Sequence, residues 1–227
     1  MTMKIIFFNV WNGQLLDGIA DFIKEHSVTT DVFCFQEANT KIQTLCHELI
    51  PDYQIITASK VVQSTHYFNS ATYVGRGARI LDSAVLLENQ PEIGLGLYTQ
   101  VQVGDRIVDI CNIHGVSMPG KLDNPDRLQQ SQELIEFLKD KNNLKIMGGD
   151  FNVLPDTKSI LMFQENDYQD LIKDFKITTT RNHLAWDKYP EKLYYSDYVF
   201  VSPETPIKSF TVPDLEISDH LPMILEL

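Results

Sequence analysis

The sequence predicts an α/β sandwich built on two β-sheets, and three observations lead there. Helical periodicity sits toward the two ends of the chain, and short strand candidates fill its centre. The polar residues able to do chemistry fall directly after apolar strand runs. A doubly wound parallel sheet would instead alternate strand and helix throughout, which the centre does not do.

Residues 5–10 form an apolar run rich in β-formers, fit for a strand buried on both faces. Leu15, Leu16, Ile19, Ala20, Phe22 and Ile23 follow at helical spacing, with Asp17, Asp21, Lys24 and Glu25 turned outward. Residues 32–35 make a second buried strand, and Ile42, Leu45, Cys46 and Leu49 a second helix closed by Pro51. The centre reads as a meander, with strands at 53–57, 71–75, 82–87, 96–103 and 107–113 between Gly, Asp or Asn turns. Asn124-Pro125 opens a helix over 126–139 whose apolar face is Leu128, Ile135 and Leu138. A strand at 144–147, a helix at 157–163 and strands at 197–201, 209–212 and 223–227 complete the chain.

The 227 residues are expected to form a single domain, 1–227. The net charge is −12 and the five arginines form no basic run. That disfavours a stable grip on duplex DNA, whose affinity comes from Lys and Arg displacing counterions. A small phosphate substrate stays open, because a bound divalent cation reverses the local charge. Cys34, Cys46 and Cys111 are odd in number and lack Cys-x-x-Cys spacing, so they read as buried core residues. The apolar run at 3–8 is too short for a signal sequence or a membrane span, so a cytoplasmic protein with no membrane partner is expected. A monomer is expected as well.

The strand ends carry Asn9, Glu37, His114, Asp150 with Asn152, Asp197, and Asp219 with His220. Taken singly, each has an ordinary structural reading. Glu37 could be a helix N-terminal carboxylate, Asp150 an Asx-turn residue beside Gly149, and either histidine a satisfied core residue. Asn9 and Asn12 could be turn residues. Their joint appearance in order along the chain favours a site, since buried strands hold terminal side chains in fixed positions.

The stretches Phe8-Asn9-Val10, Phe35-Gln36-Glu37, Asn112-Ile113-His114, Gly149-Asp150-Phe151-Asn152, Ser196-Asp197-Tyr198-Val199-Phe200-Val201 and Ser218-Asp219-His220-Leu221-Pro222 resemble the endonuclease/exonuclease/phosphatase superfamily of metal-dependent phosphodiesterases. Gly-Asp-Phe-Asn and Ser-Asp-His-x-Pro, in that order, are the specific elements. The resemblance implies a four-layer α/β sandwich, two central mixed β-sheets flanked by helices. It implies a Mg²⁺-dependent hydrolase of phosphate esters, with Mn²⁺ able to substitute, and the oxygen-rich, thiolate-free set suits such hard ions. By resemblance Glu37 is the main metal ligand, with Asn9 and Asp219 beside it. Asp150 orients or deprotonates the attacking water, Asn152 and His114 donate to the phosphate, and Asp197 orients His220. Whether Asp150 or His220 is the base stays open.

Arg127 stands where family members often carry Arg followed by Gln. It is a candidate on the substrate side, either bracing an active-site loop or forming a surface salt bridge. Asn12 stands where some relatives carry an Asp that helps a second metal, which leaves the metal count open. The expected partner is a phosphate-ester substrate, with single-stranded nucleic acid or a nucleotide as candidates. His66, Tyr67, Phe68, Tyr73, Trp186, Tyr189, Tyr194 and Tyr195 are aromatic residues that could stack a base or pack on the sandwich. The alternatives are a small-molecule phosphomonoesterase of the same fold and an inactive binding module. An inactive module would be expected to lack Glu37, Asp150 or His220, and all three are present.

Overall fold

The apolar run after Met3 forms β1 (Lys4–Asn9), buried from Ile5 onward. In the computed structural model, which describes residues 2–62, 66–90, 93–187 and 191–227, β1 lies inside a six-stranded sheet. A crossover through α1 (Leu16–Ser27) brings β2 (Val32–Gln36) parallel to it. Then come α2 (Thr40–Leu49) and the antiparallel pair β3 (Gln54–Val62) and β4 (His66–Val74). The chain next enters a second six-stranded sheet with β5 (Ala78–Leu86), β6 (Leu95–Val103) and β7 (Arg106–His114). α3 (Pro125–Lys139) carries it to β8 (Leu144–Asp150), parallel to β7. After α4 (Lys158–Glu165), β9 (Gln169–Asp170) and α5 (Leu171–Asp174), β10 (Asp197–Val201) pairs between β8 and β9. β11 (Ser209–Thr211) and β12 (Met223–Glu226) return to the first sheet, with β12 antiparallel to β1.

Strand alternation explains the layers. Ile6, Phe8, Phe33 and Phe35 face outward onto Ile19, Phe22 and Ile23 of α1 and Ile42 and Cys46 of α2. Ile5, Phe7, Val32 and Cys34 face the second sheet and share a core with Val108, Ile110 and Ile146. Leu134 and Leu138 of α3 and Ile160 and Phe163 of α4 cover its far side. The four layers are therefore helices, sheet, sheet, helices. At Gly148 a Cβ would lie 2.8 Å from the Phe7 ring, so only glycine lets the sheets approach there.

Two buried amides join the sheets. Gln36 Nε2 donates to Asn112 Oδ1 at 2.6 Å, and Asn112 Nδ2 donates to the Phe35 and Ala71 carbonyls. Each strand therefore keeps its ladder while a polar cross-link fixes its partner sheet.

The meander is corrected in one respect: it is split between the sheets, with 75–77 as the crossing. β3 and β4 are also longer than the apolar pattern suggests, because backbone pairing continues past Ser59 and Lys60 out to Val62 opposite His66. β9 and α5 have two and four residues, too few to show a period. Cys34, Cys46 and Cys111 are buried and unpaired, and burial raises the Cys46 thiol to about 11. Among the described residues no helix is long and apolar enough to cross a membrane.

Candidate active site

Register places the chemistry. β7 and β8 run parallel with His114 opposite Asp150, while antiparallel β10 sets Asp197 opposite the same Asp150. In the first sheet Asn9 lies opposite Gln36, and Glu37 follows at once with φ 57°. Asn152 also has φ 57°. Two non-glycine residues in the left-handed region at adjoining strand ends are backbone strain held where side chains must be aimed. Gly149, with φ 130°, has no room for a side chain, since a Cβ would stand 2.2 Å from the Ile113 carbonyl.

The sheets meet at this edge. Asn9 Nδ2 donates to Asp150 Oδ2 at 3.0 Å across 141 residues of chain, and Ser218 Oγ donates to the Asn9 carbonyl at 2.8 Å. The two Asp150 oxygens have different surroundings. Oδ1 accepts from Ser196 Oγ at 2.5 Å and from the Asn152 backbone N–H at 2.9 Å. Oδ2 faces the cleft, with His220 Nε2 at 3.7 Å and His114 Nε2 at 3.9 Å.

Burial alone would raise the Asp150 carboxyl, but His220, Lys121, His114 and the Ser196 hydroxyl outweigh it and hold the carboxyl well below the usual range. His220 Nδ1 sits 2.9 Å from both oxygens of Asp197. Burial opposes its charge, yet Asp197, Asp219 and Asp150 push its pKa up to about 9. Burial also raises the Asp197 carboxyl, against the lowering effect of the His220 charge beside it. Asp150, Asp197 and His220 lie close enough to be read as a metal cluster. Their mutual hydrogen bonding favours a proton-handling group, because the Asp197 oxygens and His220 Nδ1 are already spent on each other.

Glu37 offers the better cation site. Its Oε1 receives Asn9 Nδ2 at 3.3 Å and its Oε2 receives Asn12 Nδ2 at 2.6 Å, with His114 Nε2 4.0 Å away. Among the described residues no Lys or Arg forms an ion pair with it, although it stands beside the ionised Asp150. Carboxylate oxygens without thiolate fit Mg²⁺ or Mn²⁺, and Asn9 Oδ1, which here accepts from the Trp11 backbone N–H at 3.0 Å, would join them only on turning its amide.

Other expected residues take distinct places. The His114 ring stacks on Phe68 with centroids 4.1 Å apart. Asn152 Nδ2 donates to the Gly115 carbonyl at 3.2 Å, and its Oδ1 accepts from Lys121 at 3.1 Å. Asp219 is joined to Arg181 at 3.1 Å and lies 3.9 Å from His220 Nε2. Arg127 is corrected as a substrate contact and as a surface ion pair. It is buried and donates to the carbonyls of Val116, Met118 and Leu122, bracing the loop that follows His114.

Of the aromatic candidates, Tyr73 packs in the core and Tyr195 is partly buried, its hydroxyl on the Ile177 carbonyl. Tyr67 and Tyr194 are exposed, the latter edge-on to Trp186 at 5.2 Å. Tyr189 and the His66 side chain lie outside the described residues. Sequence reasoning missed Lys121 and Arg181, whose loops show no period or motif. Ser196 stood inside a quoted motif and only lacked a role.

No curated protein sequence matches the chain. An endonuclease/exonuclease/phosphatase from Bacteroides vulgatus superposes with TM-score 0.81 at 17% identity, covering 100% of this chain and 98% of that one. D. rerio TDP2 complexed with single strand DNA product gives 0.75 at 16%, covering 99% and 98%. A mannosyl-6-phosphatase from Bacteroides thetaiotaomicron gives 0.74 at 17%, covering 98% of each. At such identities these neighbours establish the fold, the four-layer sandwich already described. The sequence profile of the Endonuclease/Exonuclease/phosphatase family matches residues 6–220, which takes in every candidate site residue from Asn9 to His220, and the chain therefore belongs to that family.

Proposed function

We propose that the chain is a Mg²⁺-dependent hydrolase of phosphate esters, with Mn²⁺ able to substitute, acting on phosphodiesters of small or single-stranded substrates. The observation that carries this reading is the meeting of an ionised carboxylate, Asp150 Oδ2, with a proton-bearing imidazole, His220, in a buried cleft. Glu37, Asn9 and, from the far side, Asp219 would hold the cation. When bound, it would neutralise non-bridging phosphate oxygens and developing charge.

The chain's own groups account for the proton movements. Asp150 Oδ2, with its other oxygen anchored by Ser196 and Asn152, orients a water and accepts its proton as the water oxygen bonds to phosphorus. His220, whose Nε2 lies 3.7 Å from Asp150 Oδ2, gives that nitrogen's proton to the departing oxygen as the phosphorus–oxygen bond breaks. Asp197 stabilises the imidazolium before that transfer. His114 and Asn152 supply hydrogen bonds to the phosphate, and Phe68 fixes the plane of the His114 ring.

The lack of a basic run and the net charge of −12 support a substrate other than duplex DNA. A second reading, a small-molecule phosphomonoesterase, is favoured by the mannosyl-6-phosphatase neighbour. The test is a panel of an aryl phosphodiester, an aryl phosphomonoester and labelled single- and double-stranded oligonucleotides, with and without Mg²⁺ or Mn²⁺. Asp150→Asn should fold normally and lose about 10³-fold or more in kcat. Wild-type turnover in that variant, or turnover indifferent to EDTA, would remove the assignment. The preferred substrate decides between diester and monoester.

A further inference from the structure

We infer that Lys121 is a positioning residue that sets the direction of the hydrogen bonds around Asp150, an inference that rests on the proposed hydrolase site and deepens it. Lys121 lies in the loop between β7 and α3, with φ 48° and its side chain buried. Its carbonyl accepts from Leu154 N–H at 2.9 Å, and the carbonyls of Met118 and Leu122 on either side are held by Arg127. The loop is therefore pinned around it, and its ammonium is delivered beneath the catalytic strand end.

Nζ touches two groups, Asn152 Oδ1 at 3.1 Å and Ser196 Oγ at 2.5 Å. An ammonium has three donors and no acceptor. It therefore selects which end of the Asn152 amide faces it. The oxygen turns to Lys121, and Nδ2 turns to the Gly115 carbonyl with one N–H left for a phosphate oxygen. Ser196 has a single hydroxyl proton. Because its oxygen accepts from Lys121, that proton must point to Asp150 Oδ1, 2.5 Å away. One buried cation thus orders two donors, one toward the substrate and one toward the base. Without it, the amide could flip and the serine could turn its proton away from Asp150.

The test separates positioning from direct substrate contact and from plain stability. K121M should keep a cooperative thermal transition and lose about 10–100-fold in kcat, with K121R recovering most of it. In the N152A/S196A background K121M should cost less than about 3-fold, because the groups it acts through are gone. A full multiplicative loss in that background would overturn the inference and make Lys121 a substrate contact, as would unchanged kcat in K121M. K121Q replaces K121M if the latter fails to fold.

A readout independent of turnover uses ¹⁵N–¹H spectra of the metal-free chain. The Asn152 carboxamide pair, identified by its loss in N152A, should move in K121M and hold its place in K121R. An unmoved pair would sink the inference whether or not the wild type hydrolyses anything. Failure of the wild type to turn over any panel member would instead count against the hydrolase reading alone.

Discussion

The pairing of Asp197 with His220 is the most consequential contact of one residue with another. His220 keeps its proton up to about pH 9 because burial, which disfavours the charge, is outweighed by three carboxylates, Asp197 foremost. In the proposed mechanism the working form is the imidazolium, so activity should fall as pH rises through that value. Asp197→Asn removes the strongest support for the proton. It should cut kcat by about 10²–10⁴-fold and move the alkaline limb of the pH–rate profile to lower pH. Equal limbs in the two proteins would show that His220 does not donate the proton. Glu37→Ala makes the complementary case. It should raise the Mg²⁺ needed for half-maximal rate by about 10-fold or more, and an unchanged requirement would exclude Glu37 as ligand. These residues were legible in the sequence because each closes or opens an apolar run, and their order along the chain and the family resemblance supplied the roles. Lys121 and Arg181 were not, because their roles depend on which loop crosses the site, and Phe68 was singled out as an aromatic residue but not as the partner of His114.

At the scale of elements, α5 is stabilised by a cap that carries a cost. Asp170 accepts from the backbone N–H groups of Ile172 and Lys173, yet burial lifts its carboxyl from 3.8 to about 6. A carboxyl whose folded-state pKa is raised holds its proton longer in the folded chain than in the unfolded one. Stability from this group is greatest below about pH 4 and is lost as pH climbs through about 6, a swing of about 2–3 kcal/mol. Asn keeps the accepting oxygen and removes the charge. Asp170→Asn should therefore melt about 4–12 °C above wild type at pH 7.5 and level with it at pH 4. Coincident melts at pH 7.5 would refute this. Neither β9 nor α5 was visible beforehand, since elements of two and four residues leave no periodic trace. The longer helices were visible because Ile19, Phe22 and Ile23, or Ile135 and Leu138, repeat on one face, although Leu134 rather than Leu128 completes the buried face of α3.

For the whole molecule, the sandwich was readable from the distribution of periods along the chain, but the split of the meander at 75–77 was not. Alternating strands look the same whether they continue one sheet or start another, and only the facing surfaces decide. The decision has a thermodynamic consequence. Asn9 and Glu37 come from the first sheet and Asp150 from the second, and the buried Gln36–Asn112 pair also spans the gap. A cation held by Glu37 and Asn9 beside Asp150 would bind the two sheets only when they are assembled. The chain should then unfold in one transition, as the single-domain expectation requires, and Mg²⁺ at about ten times its dissociation constant should add about 1.4 kcal/mol. For a chain of this length that is a rise of about 3–6 °C in Tm. Glu37→Ala should abolish the rise while leaving the cooperativity intact. Two separate transitions would break the single-domain expectation, and a Mg²⁺ shift that survives Glu37→Ala would move the cation to Asp219 and its neighbours.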